Sequence, residues 1–99
     1  MFSKIKAIKD MRNQAKKMQS ALAEIIEVSE AAHGGIRITM DGNQVVQRVE
    51  VADTMLTEKI RLEGALKEAF NEAVQKIQKK MAAKVKEMGG LDAFKNLGV

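Results

Sequence analysis

Apolar and polar side chains alternate over residues 35–51, in the middle of the chain, and the segments on either side show no such alternation. A period of two is expected of a half-buried strand, because successive side chains point to opposite faces. Asp41-Gly42-Asn43 divides the stretch, and these residue types favour chain reversal because they tolerate a positive φ. The pattern predicts a β-hairpin with strands at about 35–41 and 44–51. Its register stays open, since residues 41–42 and residues 42–43 both fit as the loop.

The N-terminal segment shows a helical period instead. Ser3 is a candidate N-cap, and the helix is predicted from about residue 4 to about residue 26. Such a helix is about 35 Å long, too long for a small protein to cover, so we expect it to project. Its apolar residues recur at spacings of three and four, the heptad seam of a helix that packs along a line. The seam consists of Ile8, Met11, Ala15, Met18, Leu22 and Ile25.

Residues 25–35 fit two structures. Ile26 and Val28 either finish the first helix or begin a short strand that turns Glu27 and Ser29 outward. Gly34-Gly35 ends whichever of the two forms. A strand follows this glycine pair, so the helix N-terminus that a phosphate-binding loop requires is missing, and we interpret the pair as a hinge.

A second helical period follows the hairpin. It predicts a helix over about 58–88, for which Asp53, Thr54 and Thr57 are candidate N-caps. Gly64 interrupts the helix at a cost of about 1 kcal/mol relative to alanine, and we interpret it as a site of close packing. The apolar stripe consists of Leu62, Leu66, Ala69, Phe70, Ala73, Ile77, Met81, Val85 and Met88.

The C-terminal end is predicted less sharply. Gly89-Gly90 is the expected C-cap of the second helix. The tail, residues 89–99, then either forms one short turn that docks back through Phe94 and Leu97, or frays.

Charge divides the chain into three parts. Residues 1–28 hold six basic and three acidic residues, residues 29–57 hold two and four, and residues 58–88 hold eight and five. Basic helices on a mildly acidic sheet attract a polyanion such as nucleic acid or anionic lipid. The alternative interpretation is that these charges belong to helix faces that contact only solvent. The candidate DNA-binding residues are Lys4, Lys6, Lys9, Arg12, Lys16 and Lys17 on the first helix, and Lys76, Lys79, Lys80, Lys84 and Lys86 on the second. Of these, Lys76, Lys80 and Lys84 fall four apart and form a row.

The kinds of basic and aromatic residue narrow the mode of binding. Lysines outnumber arginines 13 to 4, and lysine suits phosphate, whereas arginine more often supplies bidentate contacts to bases. Tryptophan and tyrosine are absent, so stacking platforms for unpaired bases are lacking. This composition favours backbone contact with duplex DNA and little sequence readout.

Several classes of function lack the residues that they need. The chain has no cysteine and one histidine, His33, which we interpret as a solvated loop imidazole, so no metal or cofactor is expected. No nucleophile–base pair or phosphate loop is present, and we expect neither an enzyme nor a small-molecule substrate. No secretory signal and no apolar run long enough to span a membrane occurs. The sequence therefore predicts a single domain without a membrane partner.

Self-association is predicted from the size of the sheet. A hairpin with one extra short strand leaves a face and two edges that a chain of 99 residues cannot cover. Pairing of two copies about a two-fold axis covers both, and this is the commonest form of oligomer. We therefore expect a homodimer.

Specific residues add a family resemblance to this order of elements. They are Met1-Phe2, the run Gln14-Ala15-Lys16-Lys17-Met18-Gln19, the hairpin pattern from Gly35 to Val51, and Ala69-Phe70-Asn71-Glu72-Ala73. By their order and spacing the chain resembles the YbaB/EbfC family of small bacterial nucleoid-associated proteins over nearly its whole length. The resemblance implies an α+β fold with a short strand at about 26–31, assembled as an intertwined, tweezer-like homodimer. It also implies helical arms that bind double-stranded DNA with limited sequence preference, in the nucleoid of the cytoplasm.

Two other functions compete with DNA binding. In the first, the heptad seam of the first helix engages another protein, as a scaffold or interaction module would. In the second, the basic helices lie on an anionic membrane, which fits less well because their stripes lack tryptophan and are rich in alanine. Salt separates the first of these from DNA binding, because phosphate contacts weaken steeply with salt and an apolar seam does not.

Overall fold

The computed structural model describes residues 2–87 and residue 89, with side chains from residue 4 onward. In chain order the elements are α1 (Phe2–Ala23), β1 (Ile26–Ala31), β2 (Ile36–Asp41), β3 (Val46–Val51), a 3₁₀ turn (Asp53–Met55) and α2 (Lys59–Glu87). The strands form one antiparallel sheet in the order β1-β2-β3. Two helices and a three-stranded antiparallel sheet confirm the predicted α+β class. The predictions for Gly90 and for residues 91–99 lie outside the described residues.

The core lies between α2 and two of the three strands. Ala65, Ala69, Ala73 and Ile77 recur every fourth residue and form the buried row of α2. They pack with the apolar face of β2, which alternates as the sequence predicts. Because three of the four are alanines, the helix can lie close to the sheet. α2 packs on β1 and β2, so the third strand is left largely uncovered.

α1 is shorter than predicted at its C-terminal end. The helix begins at Phe2, so Ser3 lies inside it and is not its N-cap, and it ends at Ala23 instead of residue 26. It ends there because residues 26–31 pair with β2 as a strand. Of the two structures that the sequence allows for this segment, the strand is the one observed.

The two faces of β1 are the reverse of those predicted. Ser29 is fully buried, whereas Ile26 and Val28 are 51% and 41% exposed. Ser29 stands opposite Ile38 in the sheet, on the face that α2 covers. A small side chain fits beneath a closely packed helix, so the polar residue points inward and the branched residues point outward.

The hairpin loop is longer than either predicted loop. Residues 42–45 join β2 to β3, and Arg37 stands opposite Glu50. Both two-residue loops are therefore wrong. The Asp41 carboxylate explains the wider turn, since its Oδ1 accepts hydrogen bonds from the backbone amides of Asn43 and Val45, at 2.8 and 3.2 Å.

Residues 32–35 form a tight turn between paired strands, so the hinge interpretation of the glycine pair is wrong. Ala32, His33 and Gly34 all have positive φ, of 53°, 55° and 84°. Gly35 is buried, and a Cβ at its position would lie 3.0 Å from Cγ of Met55. Met55, which is itself buried, closes this end of the core from the 3₁₀ turn.

The ends of α2 match the predictions only in part. The carbonyl of Glu58 accepts the amide of Leu62 at 2.8 Å, so the helix starts after Glu58, and Asp53, Thr54 and Thr57 lie too early to cap it. At the other end Gly89 has a φ of 102° and donates its amide to the carbonyl of Lys86 at 3.2 Å. This geometry agrees with a glycine C-cap. The close packing predicted at Gly64 does not occur within the described part of the chain, since no described atom lies within 4 Å of a Cβ built there.

α1 projects from the body, as its predicted length requires. Every residue from 4 to 17 is exposed, and the seam becomes buried only at Leu22. The described part of the chain extends over 63 × 22 × 18 Å. Neither of its helices is long and apolar enough to cross a membrane.

Candidate nucleic-acid interface

The six basic residues of α1 stand on the part of the helix that the body leaves bare. Lys4, Lys6, Lys9, Arg12, Lys16 and Lys17 are all exposed. Asp10 is the single acidic residue of α1, and none of the six cations forms an ion pair with a described residue. From Lys4 to Lys17 the helix rises about 20 Å. The projecting helix therefore offers a dense and uncompensated positive charge.

The basic row of α2 is placed differently. Lys76 donates to the carbonyl oxygen of Val28 at 3.0 Å, and its Nζ lies 3.2 Å from Oε1 of Glu72. Lys80 lies 3.6 Å from Oε1 of Glu27, so these two lysines follow the outer edge of β1. Lys84 pairs with Glu87 at 3.7 Å. Of the five candidate lysines on α2, Lys79 and Lys86 are exposed and pair with no described residue. The row exists as predicted, but much of it already faces oxygen atoms of the same chain.

Opposite charges also pair across the outer face of the sheet. Arg37 lies 2.9 Å from Glu30 and 3.9 Å from Glu50, and Arg48 lies 3.0 Å from Glu50. These four residues form one exposed chain of ion pairs over all three strands. The arginines of the sheet are therefore engaged with carboxylates, and the exposed cations that form no ion pair with a described residue are those of the helices.

α1 is held to the body at its last turn. Gly42 in the β2–β3 loop donates its amide to the carbonyls of Leu22 and Ile25, at 2.9 and 3.0 Å. Asn43 donates its side-chain amide to the carbonyl of Gln19 at 2.9 Å. The last carbonyls of a helix have no partner within it, and here the hairpin loop supplies partners. The loop thus attaches the basic helix to the sheet.

A family model described as the YbaB/EbfC DNA-binding family matches residues 1–91. The chain belongs to this family. Its structure is also similar to the crystal structure of the uncharacterized protein HP0035 from Helicobacter pylori, with a TM-score of 0.67 and 15% sequence identity. The similarity covers 82% of this chain and 96% of that chain. At this identity the comparison shows a common fold.

Two features of this YbaB/EbfC chain escape the sequence pattern. Asn43 and Gly42 resemble ordinary turn residues, and nothing in their spacing indicates that they hold the end of α1. The contacts of Lys76 and Lys80 with β1 are likewise invisible, because they depend on the side of the sheet edge along which α2 runs. Both features come from tertiary packing.

The described residues offer few side chains for a metal site, a catalytic site or a small-molecule site. Within them, no three His, Cys, Asp or Glu side chains gather as metal ligands. His33 is exposed in the β1–β2 turn, where a solvated imidazole is expected. A shallow depression beside Gly34 includes Arg37 and Glu50, which already pair with each other.

Proposed function

We propose that the protein is a nucleoid-associated protein that binds duplex DNA, mainly through backbone phosphates and with limited sequence preference. The observation that carries the proposal is the projecting α1, which holds six exposed cations and a single acidic residue. Membership of a DNA-binding family supports the choice of polyanion. The proposed place of action is the nucleoid of the cytoplasm.

The two helices contribute unequally in this proposal. All six cations of α1 are free to meet phosphate, and Lys79 and Lys86 of α2 join them. Lys84 takes part by exchanging the exposed carboxylate of Glu87 for a phosphate, which costs little because exposed ion pairs are weak. Lys80 exchanges the half-buried carboxylate of Glu27 in the same way. Lys76 is the least available of the eleven, since it also holds a backbone carbonyl of β1.

A homodimer is part of the same proposal. β3 is an edge strand that α2 leaves largely uncovered, and Val46 and Val49 on it are 38% and 45% exposed. Arg48 and Glu50 lie two residues apart on its other face, so an antiparallel pair of β3 strands centred on Val49 sets each arginine opposite the glutamate of the other copy. Such a pair joins two sheets about a two-fold axis, with two α1 helices as the arms of the tweezers.

Fluorescence anisotropy with a random-sequence duplex tests DNA binding. Six phosphate contacts by one α1 predict that each arm on the duplex contributes about −5 to the slope of log K against log salt, measured over roughly 50 to 200 mM. Reversing Lys9, Arg12 and Lys16 together to glutamate should flatten the slope by about 3 for each arm and remove most of the affinity. The matched control reverses Lys59, Arg61 and Lys67, which are exposed on the first half of α2 and change the net charge equally. An equal loss in both variants contradicts a role for α1, and absent or salt-insensitive binding contradicts the proposal.

The assembly needs a separate measurement. Light scattering of the wild type should give twice the chain mass of 10.9 kDa. Val49→Lys places like charges at the centre of the proposed strand pair and should shift the mass toward a single chain. A single-chain mass in the wild type contradicts the dimer.

A protein-interaction module is the second candidate. The observation in its favour is the bare apolar side of α1, where Ile5, Ile8 and Met11 are 65%, 54% and 43% exposed. A partner protein bound there should stay bound as salt rises. That result, together with absent DNA binding, would replace the first proposal.

A further inference from the structure

We propose that the β2–β3 loop sets the direction of α1, with Gly42 and Asn43 as positioning residues for the basic helix. The inference rests on the proposed function only where it concerns DNA affinity. Its structural content, a joint that holds α1 at one angle, stands separately.

The first argument is that α1 has little other support. Residues 4–17 are exposed on all sides, and burial begins only in the last two turns, where Leu22 is 8% exposed. The described hydrogen bonds between α1 and later elements lie at this end, from Gly42 to Leu22 and from Asn43 to Gln19. The angle of the whole helix is therefore decided there.

The second argument is that the loop is itself held firmly. The Asp41 carboxylate receives the amides of Asn43 and Val45 on one oxygen and Nε2 of Gln47 on the other, at 2.8, 3.2 and 2.7 Å. Gln44 reaches the sulfur of Met81 on α2 at 3.9 Å. The loop thus joins α1, the sheet and α2, and it is a suitable base for a projecting helix.

The third argument is geometric. Gly42 leaves no room for a side chain, because a Cβ there would lie 2.3 Å from the carbonyl oxygen of Leu22. From Leu22 to Lys4 the helix is about 27 Å long, so a tilt of about 10° at the joint moves Lys4 by about 5 Å. Phosphates of one strand follow each other about every 3.4 Å along the DNA axis. A small change at the loop therefore shifts the outer cations by more than the axial rise between successive phosphates.

The variant that tests this is Asn43→Ala. It removes the bond to Gln19 but keeps the backbone amide bonded to Asp41, and Asn43 has no positive φ that alanine would strain. Asn43→Gln retains the amide donor and is the conservative rescue. Asn71→Ala, on the exposed side of α2, is the matched control.

The first measurement needs no DNA. The chain has no cysteine, so spin labels at Ala7→Cys and Thr54→Cys report the distance between α1 and the body, with labelled chains diluted in unlabelled ones. The wild type and Asn71→Ala should give one narrow distance distribution, Asn43→Ala a broader one, and Asn43→Gln a distribution close to wild type. An unchanged distribution in Asn43→Ala overturns the proposal.

The second measurement is DNA binding kinetics at fixed salt. Asn43→Ala keeps every charge, so its association rate should stay near wild type, while its dissociation should be faster by about fivefold. A broadened distribution with unchanged dissociation overturns the positioning role. If the wild type binds no DNA, the proposed function fails, and the distance distribution still decides whether the loop holds α1.

Discussion

A methyl group at residue 42 would stand inside the backbone of α1. The Cβ of Gly42→Ala lies 2.3 Å from the carbonyl oxygen of Leu22, 3.0 Å from its carbonyl carbon and 3.1 Å from its Cα. All three are backbone atoms, so no change of rotamer relieves the overlap. The end of α1 must move away, and the hydrogen bond that the Gly42 amide shares between the carbonyls of Leu22 and Ile25 is strained or lost.

The magnitude follows from these contacts. The shared hydrogen bond of the Gly42 amide contributes about 1 kcal/mol, and overpacking of a tight site costs about 1–3 kcal/mol. Alanine recovers up to about 1 kcal/mol by restricting the unfolded chain. We therefore expect Gly42→Ala to lower the free energy of unfolding by about 1–3 kcal/mol.

Gly64→Ala is the matched control, because it makes the same chemical change where the structure leaves space. Nothing lies within 4 Å of a Cβ at that position of α2, and alanine favours a helix interior by about 1 kcal/mol over glycine. Urea unfolding followed by far-UV circular dichroism compares both variants with wild type at equal protein concentration, which matters for a dimer. A Gly42→Ala variant as stable as wild type would refute the reasoning, as would two variants that change in the same direction.

Three further predictions concern the sheet and its turns. Ser29 has a buried hydroxyl with no hydrogen-bond partner among the described residues, so Ser29→Ala should raise the free energy of unfolding by about 1 kcal/mol, and a loss in urea unfolding would contradict this. His33 has a φ of 55° and is exposed, so His33→Gly should raise stability by about 0.5–1 kcal/mol, visible as a higher thermal midpoint. Asp41→Ala removes the acceptor of three hydrogen bonds and should cost about 2–3 kcal/mol. Asp41→Asn keeps the oxygen for the two backbone amides, and hydrogen exchange at Val45 should stay slow in it and become fast in Asp41→Ala.

Periodicity predicts β2 and α2 because each of them buries one side of itself. The alternation of Ile36 with its neighbours and the four-residue recurrence of Ala69 and Ala73 are both visible in a single sequence. The faces of β1 are not visible in this way. A rule that places polar residues outward cannot anticipate a serine that is buried because its small side chain fits beneath a helix. The hairpin register fails for a similar reason, since the Asp41 side chain rebuilds the loop through contacts that no local pattern shows.

The candidate site divides in the same way. A count of charges finds the basic residues of α1, because exposure of a projecting helix follows from its length. The same count treats Lys76 as equal to Lys9, although Lys76 donates to a backbone carbonyl of β1 and Lys9 is exposed to solvent. Which cations are free depends on which strand edge α2 follows, and that information belongs to the tertiary structure.

The lysine that holds the outer edge of β1 also limits how large an assembly can grow. A sheet with two open edges can add copies head to tail without end, and such contacts produce filaments. Here Lys76 occupies the carbonyl of Val28 at one edge, whereas the outer edge of β3 pairs with no strand of the described residues. In the proposed dimer the two β3 edges meet each other, and the lysine at each β1 edge then disfavours the addition of further copies.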